Sequence, residues 1–476
     1  MPVTGQFELN FELKKNRFKK SLKKGSFSTF FEVNTPSVNS NIKTVLSRME
    51  EGRIILEEFN EFHTGFAISD KSTYSQSYNL VNFASELCKK DRDKHLLFLS
   101  GKGVDNKQMT ETVNACINLG FNNIVPVSGE TLPNETLNNI KNINFFDSVD
   151  SLNIINKLDS SNKIFPGCVV SPFKYTPIDF FPQYYKLVKK INMGANFIVA
   201  QAGWDLLKYQ ELRWYLEKRE YYDPTLARII FLTSEMIEPI IEGQYPGIHI
   251  SPDFLNMLKK ESKFGFSQFI SAQWRKLQLQ VAGLRLMGYS GIVLAGINRA
   301  DDIKTALNKI DEALDEFKSF DDWKDTYLNY LGRSEMAPYP HRFYFLKNLF
   351  NEAFSEIPDE NYVKIPDCTK IEKVKYHFLK KRFLKSKQKG KHSDIFLKSI
   401  MSNSPGFNEN DSSLFQTQFV STNSCPKKLS NGPCGGTKAD GSCEVCIKEC
   451  VFSKIFRLAN WQNDLDLLEE YNGVSQ

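Results

Sequence analysis

The sequence predicts an α/β protein, a (β/α)8 TIM barrel followed by a small C-terminal domain rich in cysteine. Three observations predict it. Between Ser26 and Phe317, short apolar runs alternate with segments whose apolar residues recur at helical spacing. The runs number eight, as a closed barrel of parallel strands requires. Five of the nine cysteines then fall between Cys425 and Cys450. A chain of 476 residues also exceeds what one core usually supports, so more than one domain is expected.

In chain order the expected strands are Ser28–Val33, Phe66–Ser69, Leu96–Ser100, Asn123–Val127, Phe165–Ser171, Phe197–Gln201, Arg228–Leu232 and Gly291–Ala295. Helical patterns such as Gln183–Ile191 and Ile303–Phe317 separate them. Gly120, Gly194 and Gly288 stand just past helical stretches, where a left-handed cap is needed. An open doubly wound sheet should carry a glycine-rich phosphate turn after its first strand, and Asn34-Thr35-Pro36 is not one. A long insert, Glu235–Tyr289, carries two expected helices. The units read as an N-terminal extension (1–25), the barrel (26–320), a helical and linker region (321–420) and the cysteine domain (421–476). A short amphipathic helix, with Leu465, Leu467, Leu468 and Tyr471 as its stripe, closes the chain.

Composition narrows the function classes. Hydrophobic residues at 41% and charged residues at 25% are ordinary for a soluble globular chain. The net charge of +5 is small, and much of it lies in two runs, Lys14–Lys24 and Lys375–Lys391, that read as solvated surface. Nucleic-acid binding would need such charge beside a reading motif. No apolar stretch approaches the ~18–20 residues that span a bilayer. Phe7 to Leu13 is broken by Glu8, Asn10 and Glu12 and is not a secretion signal. A cytoplasmic protein without nucleic-acid or membrane partners is expected.

In a barrel, polar residues at the carboxyl ends of strands are the first candidates for chemistry. Glu32 lies in Phe30-Phe31-Glu32-Val33, where alternation points it into the barrel mouth. Partial desolvation there lets a carboxyl hold a proton for general acid work. The other reading is a structural carboxylate paired with Lys or Arg. Glu130 follows the fourth strand in Val127-Ser128-Gly129-Glu130, with Gly129 permitting close backbone approach to a ligand. Gln201 ends the sixth strand with an amide that can both give and accept hydrogen bonds. Lys190 and His95 suit a phosphate or a polar chain. His249 reads as structural.

Cys88, Cys116, Cys168 and Cys368 are scattered in apolar contexts, as core residues are. Cys425, Cys434, Cys443, Cys446 and Cys450 instead follow C-x8-C-x8-C-x2-C-x3-C. Without a secretion signal that cluster points to metal. A four-thiolate zinc site would use four of the five, and an iron–sulfur cluster draws on the same supply.

Several of these segments occur together in one known family. Ser28-Thr29-Phe30-Phe31-Glu32-Val33-Asn34-Thr35-Pro36 resembles the first barrel strand of methylenetetrahydrofolate reductases. Lys190 to Gln201 resembles that family's lysine-to-glutamine segment, Lys94-His95-Leu96 its His-Leu opening of strand three, and Val127–Glu130 its Arg-Gly-Asp element. Departures are Glu130 where the family has aspartate, Ser128 where it has arginine, and Cys168–Phe173 without the histidine of a Tyr-Pro-Glu-x-His element.

The resemblance implies a flavoprotein oxidoreductase, with FAD, that interconverts 5,10-methylenetetrahydrofolate and 5-methyltetrahydrofolate in one-carbon metabolism and methionine biosynthesis. Glu32 is then the general acid, Glu130 an acid near the flavin, Gln201 the pterin contact, and His95, Gly129 and Lys190 further flavin contacts. The cysteine segment resembles the C-terminal domain of some of these reductases, associated with zinc or iron–sulfur sites and electron transfer. Partners implied are a folate, an electron-donor protein, NAD(P)H and further copies of the chain. Competing readings are a folate-dependent methyltransferase barrel and a non-catalytic scaffold stapled by metal.

Overall fold

The structure is a computed structural model that describes residues 16–70, 76–132, 134–332, 334–352, 363–388 and 413–472. Eight strands form a closed barrel: β1 (Ser28–Asn34), β2 (His63–Ser69), β3 (Leu96–Ser100), β4 (Asn123–Val127), β5 (Phe165–Val170), β6 (Phe197–Ala200), β7 (Thr225–Ile230) and β8 (Gly291–Ala295). Neighbours pair in parallel, and β8 returns to β1 with Ser28 opposite Gly291. Helices between the strands wrap the outside, and the main core lies between them and the barrel.

The barrel interior at its amino end is filled by Phe30, Ala67, Leu96, Val125, Phe197 and Val293. Phe18, from the helix Arg17–Lys23, enters this layer fully buried, edge-on to Phe30 at 5.0 Å and to Phe197 at 5.2 Å. That helix is capped by Asn16 and tied to the barrel by Arg17, which donates to Asp93 at 3.0 Å. The expected N-terminal extension is therefore, from residue 16 on, the plug of the barrel floor. One apolar residue among lysines does this, and the basic run hid it. Residues 1–15 of the extension lie outside the described residues.

Two strands begin three residues earlier than expected, where polar side chains are satisfied by neighbours. β2 begins at His63, whose Nε2 meets Lys94 O at 3.1 Å while the Thr64 hydroxyl donates to Leu56 O at 2.7 Å. β7 begins at Thr225, whose hydroxyl oxygen accepts from Arg213 at 2.9 Å. Beyond β7, Leu232 turns into a second core with Ile237, Phe254 and Phe269 of the insert. That insert holds three helices, Ser234–Ile241, Pro252–Ser262 and Phe266–Leu286, not two. Gly265, at φ 102°, breaks the last pair.

The C-terminal region is packed into the barrel. Leu429, Cys450, Phe452, Ile455, Phe456 and Leu468 belong to the main core, and Phe456 stacks on Phe181 of the helix Pro177–Asn192 at 5.1 Å. The helix Lys370–Gln388 buries Tyr376, Leu379 and Phe383 against Leu414 and Leu458. The expected helical and linker region is helical over Phe320–Leu331 and Lys370–Gln388 and irregular over 334–352, with 353–362 and 389–412 outside the described residues. The last full helix is Val451–Gln462, while the expected leucine stripe falls in a 3-10 turn, Leu465–Glu469. Among the described residues no helix is long and apolar enough to cross a membrane.

Candidate active site

A cavity of about 180 Å3 opens at the carboxyl ends of the strands, where this architecture places chemistry. Glu32 from β1, Glu130 after β4, Gln201 after β6 and Lys190 from the helix before β6 all line it. Two residues not anticipated from the sequence join them: Arg228 on β7 and Asp70 directly after β2. Both were legible by the rule that found Glu32, as polar residues in or just beyond an apolar run.

Arg228 organises the group. Its Nε and Nη2 donate to the two oxygens of Glu32 at 2.5 and 2.9 Å, and its Nη1 donates to Gln201 Oε1 at 3.1 Å. Burial works against this guanidinium, but Glu32 and the nearby charge of Glu130 hold it protonated well above its ordinary range. The backbone of this cluster is met in turn by Tyr209, whose single hydroxyl proton is shared between Arg228 O at 2.8 Å and Gln201 O at 3.0 Å. Of the two readings of Glu32, the structure shows the carboxylate paired with arginine. Gln201 Oε1 also accepts from Ala202 N at 3.0 Å, so what this side chain offers a ligand is its NH2 group.

Asp70 is half-buried, and desolvation pushes its carboxyl up to about 6, against hydrogen bonds from its own backbone and that of Ser100. Lys190 donates to Val169 O at 2.6 Å, and burial lowers its amine to about 8. Ser171 lies in the cavity wall, and its buried Oγ has no hydrogen-bond partner among the described residues. A buried hydroxyl left unpaired costs about 1–3 kcal/mol, which a polar ligand group can recover.

His95 is not in this group. It sits at the amino end of β3, buried, where its Nδ1 accepts from Phe66 N at 2.9 Å and its ring stacks on Phe66. Burial drops it to about 3, so it stays neutral. The expected flavin contact is a core histidine, at the opposite end of its strand from the cavity. His249 is half-buried, with desolvation lowering it to about 4.

The C-terminal segment roofs the cavity. Cys434, Gly435, Gly436 and Glu444 line it beside the barrel residues. Lys174, fully buried, donates to Gly435 O at 3.0 Å and to the Thr437 hydroxyl at 2.5 Å. Lys427 pairs with Glu444 at 2.8 Å and donates to Gly129 O at 3.0 Å. Glu444 accepts from Thr131 N at 3.0 Å and from the Cys434 thiol at 3.2 Å. Burial opposes its charge, yet Lys427 and Thr131 hold it down at about 2. Gly436 is required by this closeness, because a Cβ there would stand 2.1 Å from Glu444 Oε2.

The expected metal centre is not assembled. Among the described residues no group of three or more His, Cys, Asp or Glu side chains is placed to hold a metal ion. All nine cysteines are unpaired. Burial raises Cys434 to about 12, Cys443 to about 11 and Cys450 well above its ordinary value, and the nearby Cys425 adds to the rise at all three. As placed, Cys425, Cys434, Cys443, Cys446 and Cys450 form no such ligand group, and no step is derived through a metal.

A family model described as methylenetetrahydrofolate reductase matches residues 17–240. A second, described as methylene-tetrahydrofolate reductase C terminal, matches residues 411–476, and the two together span more than half of the chain. The chain belongs to the methylenetetrahydrofolate reductase family. No curated protein matches it in sequence. Among solved structures, an uncharacterised protein from Clostridium thermocellum that binds two copies of 5-methyl-5,6,7,8-tetrahydrofolic acid is similar over 63% of this chain and 99% of its own. At 11% identity and a TM-score of 0.46, that likeness is too distant to bear on the chemistry here.

The family's flavin can be tested against the residues present. Gly129, Glu130 and Lys190 line the cavity, but His95 does not. The loop after β4 is already bonded to the C-terminal segment through Gly129 O, Thr131 N and the Thr131 hydroxyl. As arranged, these residues do not fit an isoalloxazine, and no step is derived through one.

Proposed function

We propose that the cavity binds a reduced folate and that the chain interconverts 5,10-methylenetetrahydrofolate and 5-methyltetrahydrofolate. The observation that carries this is the convergence of Glu32, Arg228, Gln201 and Glu130 in one cavity of a barrel belonging to this family. Gln201 presents hydrogen-bond donors to the polar edge of a pterin. Opening the one-carbon bridge creates an iminium cation, and fixed carboxylates in a site screened from water stabilise charge that develops there. Glu32 and Glu130 supply that negative field, with Arg228 fixing the direction of Glu32. The roof formed by Gly435, Gly436 and Glu444 keeps water from the reacting carbon. The hydride is exchanged with a nicotinamide as redox partner.

Anaerobically purified full-length protein, mixed with 5-methyltetrahydrofolate and NAD(P)+, tests this. Saturable quenching of tryptophan fluorescence and formation of 5,10-methylenetetrahydrofolate are expected. Binding without any redox product would favour a methyl-transferring barrel, and absence of binding would leave only a scaffold.

A further inference from the structure

Gln201 stands at the carboxyl end of β6, its backbone N donating to Val170 O on β5 at 2.8 Å. Its amide has an accepting end and a donating end, and the neighbours decide which one a ligand meets. Arg228 Nη1 donates to Oε1 at 3.1 Å, and Ala202 N donates to the same oxygen at 3.0 Å. A guanidinium and a peptide N–H are donors only, so neither can satisfy an NH2 group. Half a turn of the amide would set its own N–H groups against both of them. Arg228 is not free to turn aside, because its Nε and Nη2 hold the two oxygens of Glu32 at 2.5 and 2.9 Å. The amide is therefore locked with its donors toward the cavity that Gln201 lines. Ser171 lies one residue beyond Val170, which pairs with Ala200 of β6, and its buried hydroxyl has no partner among the described residues. A hydroxyl can give or accept, so it does not discriminate between ligands as the locked amide does.

We infer that Arg228 determines specificity: by holding the Gln201 amide donor-outward, it favours tetrahydropterins with an oxo group at position 4 over those with an amino group there. The inference rests on the folate reading of the cavity and deepens it. The 4-oxo group of a folate is an acceptor and meets the amide donors directly. A 4-amino analogue turns N–H groups toward the same donors and carries no hydrogen on N3. Donor then faces donor in a site screened from water, and both are left unpaired. Selectivity arises from this repelled group as much as from the accepted one. Arg228 acts through Gln201 and need not touch the ligand, so it is a positioning residue.

The test compares the binding of 5-methyltetrahydrofolate and its 4-amino-4-deoxy counterpart to the full-length protein by isothermal titration calorimetry. Wild type is expected to prefer the 4-oxo compound roughly 30-fold. Gln201→Glu keeps an acceptor for Arg228 and Ala202 N while turning a second acceptor toward the cavity, so the preference should reverse. Arg228→Met combined with Glu32→Gln leaves no buried charge stranded. There the preference should shrink roughly fivefold, the worth of one hydrogen bond holding the amide. A wild type that binds both compounds equally overturns the inference and leaves the folate reading standing. So does the wild-type preference persisting in Gln201→Glu or in the double variant. A wild type that binds neither compound overturns the folate reading itself, and this inference with it.

Discussion

Arg228 on β7 reaches past β8 to Glu32 on β1 and donates to both of its carboxylate oxygens, at 2.5 and 2.9 Å. The two side chains are only 13% and 12% exposed, so the pair is desolvated and bidentate, the geometry in which arginine and carboxylate bind most strongly. Breaking such a pair from one side leaves a charge without compensation.

Arg228→Ala should therefore destabilise the protein by about 3–5 kcal/mol. Arg228→Ala with Glu32→Ala should lose less than the two single changes added together. Denaturant unfolding of the four proteins gives the coupling, and strict additivity would show that the pair contributes no mutual energy.

Gln201→Ala removes the amide while leaving the charged pair in place. Under the folate reading, one lost hydrogen bond of about 1 kcal/mol should raise KM for the folate roughly fivefold, with a smaller change in kcat. Steady-state kinetics across folate concentrations measure the split. An unaltered KM would remove Gln201 from the binding surface.

Gly436→Ala tests the roof. The added methyl would overlap Glu444 Oε2 at 2.1 Å, and the strain of about 1–3 kcal/mol should fall on the contact among Lys427, Glu444 and Cys434. Opening of the roof should become roughly tenfold more frequent. Cys434 should then be alkylated faster by iodoacetamide, as read by peptide mass spectrometry, while Cys168 in the core keeps its rate.

Asp150 makes the docking of the C-terminal segment sensitive to pH. It accepts from Tyr471 at 2.8 Å and from Asn431 at 3.2 Å, and burial, then the charge of Asp147, raises it to about 7. A carboxyl raised in the folded state favours folding while protonated. Its contribution is complete below the ordinary carboxylate range near 4 and is lost as pH climbs to about 7. Asp150→Asn, which keeps an acceptor for Tyr471, should flatten the fall in Tm between pH 4.5 and 8. An identical fall in both proteins would assign the pH dependence elsewhere.

The barrel itself was legible because its signal is local. Each strand is an apolar run such as Phe197-Ile198-Val199-Ala200, and each intervening helix carries its own periodicity, so no distant contact is needed to recognise either. That Glu32, Glu130 and Gln201 would line the barrel mouth was legible for a related reason, since the carboxyl end of a strand is identified by the run before it. The same rule applied more fully would have reached Asp70 and Arg228. His95 misled because its neighbours in sequence resemble a ligand contact, while its ring turns back to serve the backbone of Phe66.

What the sequence determined alone is the alternation of strand and helix, the closure into a barrel and the family to which the chain belongs. Tertiary structure alone decided that Phe18 closes the barrel floor, that Glu32 is held by an arginine 196 residues away, and that the cysteine segment lies over the cavity. The physical reason is range. Periodicity reports which face of an element is buried, but the charge or hydrogen bond that meets a buried polar group comes from wherever the chain returns. Local spacing holds no record of that partner.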